Sequence, residues 1–149
     1  MPLVALNWAE EVQDYIAENS GLGLVVPGVG PVGNLTLGNL LNVDNLDALL
    51  GSEIRCTIFE EGGNLNRTGR RHQQERSLRF VFKGEHGQEA VNSCLALLQF
   101  LENGRTFLTS TFRTWVARTD KMPTVIAADQ AGTHLADFVM TFLVYNRTG

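Results

Sequence analysis

Apolar positions along the chain switch between the 3.6-residue period of a helix and the two-residue period of a strand, and the switches divide it into elements. Trp8, Val12, Tyr15 and Ile16 are spaced i, i+4, i+7 and i+8, one stripe of a helix. Asn7 can cap that helix with Glu10 three residues on, and Gly21 and Gly23 end it. Ile54, Cys56 and Ile58 alternate with Arg55 and Thr57, and the pattern predicts a half-buried strand over Ile54–Phe59. Leu78, Phe80 and Phe82 alternate with Arg79, Val81 and Lys83 and predict a second strand over Ser77–Lys83. With the polar stretch Glu60–Glu75 between them, these read as a long hairpin. Glu89–Glu102 has the best helical pattern, with Val91, Cys94, Leu95 and Leu98 on one face, Leu97 and Leu101 widening it, and Asn103-Gly104 as the stop. Strands follow around Phe112–Val116, at Thr124–Ala127 after Pro123, and over His134–Tyr145. The last has Phe138, Met140, Phe142 and Val144 on one face and Val139, Leu143 and Tyr145 on the other. Both sides should therefore be covered, by a helix or by a neighbouring subunit.

The order predicts one α+β domain over residues 1–149, a mainly antiparallel twisted sheet of four to five strands backed by two main helices. Residues 21–52, rich in Gly, Asn and Leu, form an arm or hairpin insertion after the first helix. Short strands are expected there at Leu24–Val26 and Leu35–Leu41, and a helical turn at Asp44–Leu50. A chain of 149 residues can bury roughly 70% of its unfolded surface without staples.

Charge changes the picture more than composition does. Met1–Ile54 contains no Lys or Arg and seven acids, whereas Asn66–Lys83 holds six of the 12 basic residues against one acid, Glu75. A net charge of -4 conceals this partition. Such a domain suits head-to-tail packing of copies, or a basic stretch that faces a polyanion. The candidate basic loop, residues 61–76, carries Arg67, Arg70, Arg71 and Arg76; the candidate acidic face carries Glu10, Glu11, Asp14 and Glu18. The loop has no aromatic residue to stack on bases, so a nucleic-acid contact through it would be electrostatic and blind to sequence.

Catalytic chemistry finds little purchase. Gly28-Val-Gly30-Pro-Val-Gly33 spells a dinucleotide fingerprint, but Pro27 and Pro31 flank and interrupt it, and no helix pattern follows. His72, His86 and His134 have no metal-ligand spacing, and Ser77, Ser93 and Ser110 lie in no nucleophile context. Glu60 and Glu61, neighbours at a strand end, point to opposite faces and cannot share a proton. The expectation is no enzyme, no cofactor and no metal. Cys56 and Cys94 read as buried hydrophobes in a protein made in a reducing compartment. No signal peptide or 18-residue apolar run is present, so no membrane contact is expected, and the Asn34, Asn66 and Asn146 sequons read as coincidences.

One resemblance spans most of the chain. A helix over Ala9–Glu18 leads to Gly23 and Asn34-Leu-Thr-Leu-Gly38; a strand ends in Glu60-Glu61-Gly62-Gly63; Gln73-Gln74 leads a strand over Arg76–Phe82. A helix with Ala90 and Leu97-Leu98 follows, then Pro123, Asp129, Gly132 and a strand closing at Tyr145-Asn146. This series resembles the tail terminator and minor capsid (tail-completion) proteins of long-tailed bacteriophages. It departs from them in lacking a proline after Leu40 and in the added stretch Asp44–Ser52. The resemblance implies a non-enzymatic virion protein at the tail-neck junction, made in the host cytoplasm. Such a protein forms a homohexameric ring, caps the tail tube, ends its polymerisation and offers the head-joining surface. Its partners would be its own copies, the tail tube protein and a head-completion or connector protein, with nonspecific contact to packaged DNA. A head-completion or minor capsid protein beneath the portal is the neighbouring alternative, and a small sequence-nonspecific nucleic-acid-binding domain is another.

Overall fold

The computed structural model describes residues 8–24, 35–38, 55–65, 73–84, 87–109, 112–128 and 134–146. The fold is α+β: a sheet whose described strands run in the order β1-β2-β3-β6-β5-β4, with two helices packed on one face. Helix α1 is Trp8–Asn19 and α2 is Gly87–Gly104; the strands are β1 Leu35–Gly38, β2 Arg55–Leu65, β3 Gln73–Gly84, β4 Thr106–Leu108, β5 Phe112–Ala128 and β6 His134–Asn146. Strands β2 to β6 pair antiparallel, and β1 adds to the β2 edge in parallel. The expected sheet of four to five strands is thus extended by β1 and β4, both short edges. Because β1 is parallel to β2, the two do not form a hairpin.

The core lies between the helices and one face of the sheet. Trp8, Val12 and Ile16 of α1 and Ala90, Cys94, Leu97, Leu98 and Leu101 of α2 meet the even-numbered residues of β3 and β6 there. Trp8 fits edge-on against Phe142, 5.6 Å between ring centroids, while its indole N–H donates to the Thr114 hydroxyl at 3.1 Å. That bond satisfies the one polar atom of a fully buried indole. Tyr15 stacks on Phe107 at 4.1 Å and so ties α1 to the β4 edge. Gln13, buried, donates to the Leu35 carbonyl at 2.6 Å and ties α1 to β1.

Helix α1 ends as its glycines require: the Ser20 N–H donates to the Ile16 carbonyl, and Gly21 follows at φ 68°. Helix α2 ends differently. The left-handed position falls on Arg105, at φ 49°, one residue past Gly104. Its N–H donates to the Leu101 carbonyl at 3.0 Å, and its own carbonyl accepts from Val116 at 2.7 Å, so two backbone bonds hold it there.

Two expectations need correction. The segments Phe112–Val116 and Thr124–Ala127 belong to one strand, β5, whose pairing with β6 shifts register four times. Bulges take up the extra residues, and Pro123, which has no N–H to give the ladder, sits at one of them, between Lys121 and Thr124. The hairpin strands are also longer than Ile54–Phe59 and Ser77–Lys83, which narrows the connecting loop from 61–76 to 66–72. Glu60 is consequently inside β2, at a bulge between Glu60 and Gly63, rather than at its end. The two faces of β6 differ: Ala136, Phe138, Met140, Phe142 and Val144 join the core with the helices, and no described helix covers the other face, which leaves a neighbouring subunit as its expected cover. Asn7, Gly28–Gly33, the turn at Asp44–Leu50 and the loop residues Arg67, Arg70, Arg71 and His72 lie outside the described residues.

Candidate interaction surfaces

Strand alternation decides what each polar residue of the sheet can do. Positions 76, 78, 80 and 82 of β3 face the helices, so Arg76 points into the molecule. It is 8% exposed, it pairs with the Glu60 carboxylate from the adjacent strand, and its guanidinium lies 5.2 Å from the centroid of the Trp8 ring. Burial pulls its pKa below the usual arginine value. Arg76 is therefore a structural cation, and the expectation that it belongs to a loop facing DNA or a neighbour is corrected. Glu60 is the carboxylate that balances this charge.

The opposite face, which no described helix covers, buries Phe59 and Val81 and carries an ion-pair network that the chain's periodicity does not reveal. Asp137, 1% exposed, accepts from Arg79 Nε at 2.6 Å and from the Lys121 ammonium. Arg118 donates to Glu75 and to Asp120, each at 2.7 Å, and those bonds raise its pKa. The Thr141 hydroxyl bridges Asp120 and Ser77. Three cations meet three carboxylates, so the network is neutral and links β3, β5 and β6 across the face. Its sequence signal was half visible, because Arg79 and Lys83 alternate out of the apolar face. The partners on β5 were not, since bulges break the alternation that would have assigned Arg118, Asp120 and Lys121 to a side.

Beyond this network the same face turns aromatic. Trp115, 39% exposed, stands 5.6 Å from Tyr145 in a T-shaped pair. Arg113, exposed, is the register partner of Tyr145 and has no ion-pair partner among the described residues.

The third surface is the outer side of α1. Glu10, Asp14 and Glu18 are exposed there, and Glu11 is half-exposed. Glu11, Asp14 and Glu18 line a groove of about 450 Å³ with Tyr15 and Leu108, between α1 and the β4 edge. Helical spacing brings these acids to one side, as the sequence predicts. The three carboxylates of the groove give it attraction for cations.

Cys56 and Cys94 are buried free thiols. Burial pushes the Cys94 pKa up to about 12 and Cys56 well above the ordinary 9.0, so neither is a nucleophile at neutral pH. Among the described residues no three His, Cys, Asp or Glu side chains could hold a metal ion, and no helix is long and apolar enough to cross a membrane. Comparison with protein-family models and with curated proteins finds no match.

Proposed function

We propose that this chain is a structural virion protein whose copies assemble head to tail into a ring, of six copies in the resembling family, that caps a phage tail tube and offers the head-joining surface. The observation that carries the reading is the separation of charge. Glu10, Asp14 and Glu18 stand exposed on the outside of α1, and none has an ion-pair partner among the described residues. The bases of the central region are either locked in the fold, as Arg76 and Arg79 are, or gathered at Arg67, Arg70 and Arg71. A heterologous interface needs two different, complementary patches on each copy, and acid meeting base supplies them. The four strands β2, β3, β6 and β5, cross-braced by the neutral network, give the stiff plate that a ring subunit needs.

Reversing Arg70 and Arg71 to Glu should weaken assembly, and sedimentation of the double variant should show smaller species than the parent. Adding Asp14→Arg and Glu18→Arg should restore the larger species by re-pairing the charges. A double variant that sediments like the parent would contradict this interface.

A further inference from the structure

The sheet face turned away from the described helices has one exposed corner, where β4, β5 and β6 meet. Register sets Arg113 between Leu108 of β4 and Tyr145 of β6, and Trp115 between Thr106 and Leu143. Trp115 is 39% exposed and Leu108 50% exposed, so two large apolar side chains face solvent beside an arginine that has no ion-pair partner among the described residues. On the sheet face itself Glu75, the register partner of Leu143, is already held by Arg118. The corner is therefore aromatic and carries a guanidinium, Arg113, while its Leu108 side borders the groove of Glu11, Asp14 and Glu18. It is also where the basic segment is rooted: β2 leaves the sheet at Leu65, and β3 begins at Gln73, the register partner of Tyr145. The chain carrying Arg67, Arg70 and Arg71 starts and finishes at this corner.

We infer that this corner binds single-stranded nucleic acid, with bases against Trp115 and Tyr145 and a phosphate on Arg113. Aromatic side chains on an open sheet face offer unstacked bases a sequence-tolerant surface, and a nearby guanidinium holds the backbone. Duplex DNA keeps its bases stacked inward and presents only phosphates, so it gains nothing from the ring pair. A protein partner fits less well. The apolar patch is a few side chains wide, Met122 and Val125 lie towards the far end of β5, and a stable protein interface buries about 1,200–2,000 Å². The inference does not rest on the ring reading. Monomer and ring can both be titrated, and a ring indifferent to single strands would leave the ring reading standing.

The test uses the full chain and a fluorescein-labelled oligothymidylate of about 20 nucleotides, longer than the roughly 4–16 that one such surface covers. Trp8 is fully buried, so quenching of indole fluorescence reports Trp115. Binding should quench that emission and weaken as salt rises. Trp115→Ala should weaken binding, read by anisotropy of the label, by roughly tenfold, and Trp115→Phe should keep most of it. Arg113→Ala should lower the salt slope by about 0.7, the contribution of one phosphate contact on a single strand. A duplex of matched length should bind more weakly and quench nothing. Absence of quenching at low salt, a Trp115→Ala variant that binds as the parent does, or equal affinity for the duplex would each overturn the inference. So would a Trp115→Ala variant that loses self-association while its oligothymidylate binding is unchanged, which would assign the corner to a protein contact. Circular dichroism of each variant shows that the fold is retained, as expected for substitutions at exposed positions.

Discussion

Arg76 lies against the Trp8 ring with its charge on Glu60, whereas Arg113 projects from the same sheet into solvent with no ion-pair partner among the described residues. Truncating the first leaves a half-buried carboxylate without its cation and removes packing from a fully buried indole. Arg76→Ala should cost about 2 kcal/mol in a urea melt. Arg113→Ala should stay within about 0.5 kcal/mol of the parent, as exposed surface substitutions do. Equal melting of the two variants would remove the distinction between a structural and a binding arginine. The thiols make a separate prediction. Native Cys94 keeps its proton up to about pH 12, whereas an unfolded thiol loses it near 9.0. Between those values the unfolded state binds fewer protons than the native state, so stability present below pH 9.0 is lost progressively as pH rises towards 12. Urea melts at pH 8 and pH 10.5 should show that fall, and Cys94→Ala should flatten it.

At the scale of elements, what could be read from the chain follows how regular each period is. Helices α1 and α2 and the centres of β2, β3 and β6 have unbroken apolar periods and stand where those periods put them. Arg76 was legible too. The alternation of Leu78, Phe80 and Phe82 runs back two residues to reach it, and only a strand start placed too late, at Ser77, assigned it to the loop. Strand β5 was illegible for a physical reason. A bulge inserts a residue and flips every later side chain to the other face, so four register shifts erase any two-residue pattern, and Pro123 looks like a break. The same irregularity has a use. Strand β4 covers only Arg113–Trp115 of the outer β5 edge, and bulges with a proline make the remainder a poor template for adding strands. Strand β4, three residues long, gave no sequence signal, and the β5 half of the ion-pair network gave none either, because both depend on which strands become neighbours. The end of α2 yields an element-scale prediction. Arg105 holds a left-handed conformation that glycine adopts freely, so Arg105→Gly should raise stability by about 0.5–1 kcal/mol, read as a higher urea midpoint. An unchanged or lower midpoint would show that the Arg105 side chain contributes more than its backbone strain costs.

Across the described residues, the helices bury one face of a single sheet, and the other carries a neutral ion-pair network, the buried side chains of Phe59 and Val81, and an aromatic corner with Arg113. The acids of α1 line a groove that reaches the corner at Leu108. The α+β class, the helices on one face and the partition of charge could be anticipated from order and period. The three surfaces could not, because each of them joins residues of different elements: α1 with β4, β3 with β5, and β5 with β6. The proposed reading as a ring-forming tail protein turns on whether copies of this chain find one another. Light scattering of the purified chain at low and high protein concentration, with negative-stain images of the same sample, tests this most directly. The account predicts closed rings of about six copies, the number the resembling family builds, with a population that grows with concentration. A strict monomer at every concentration, with no rings in the images, would contradict it.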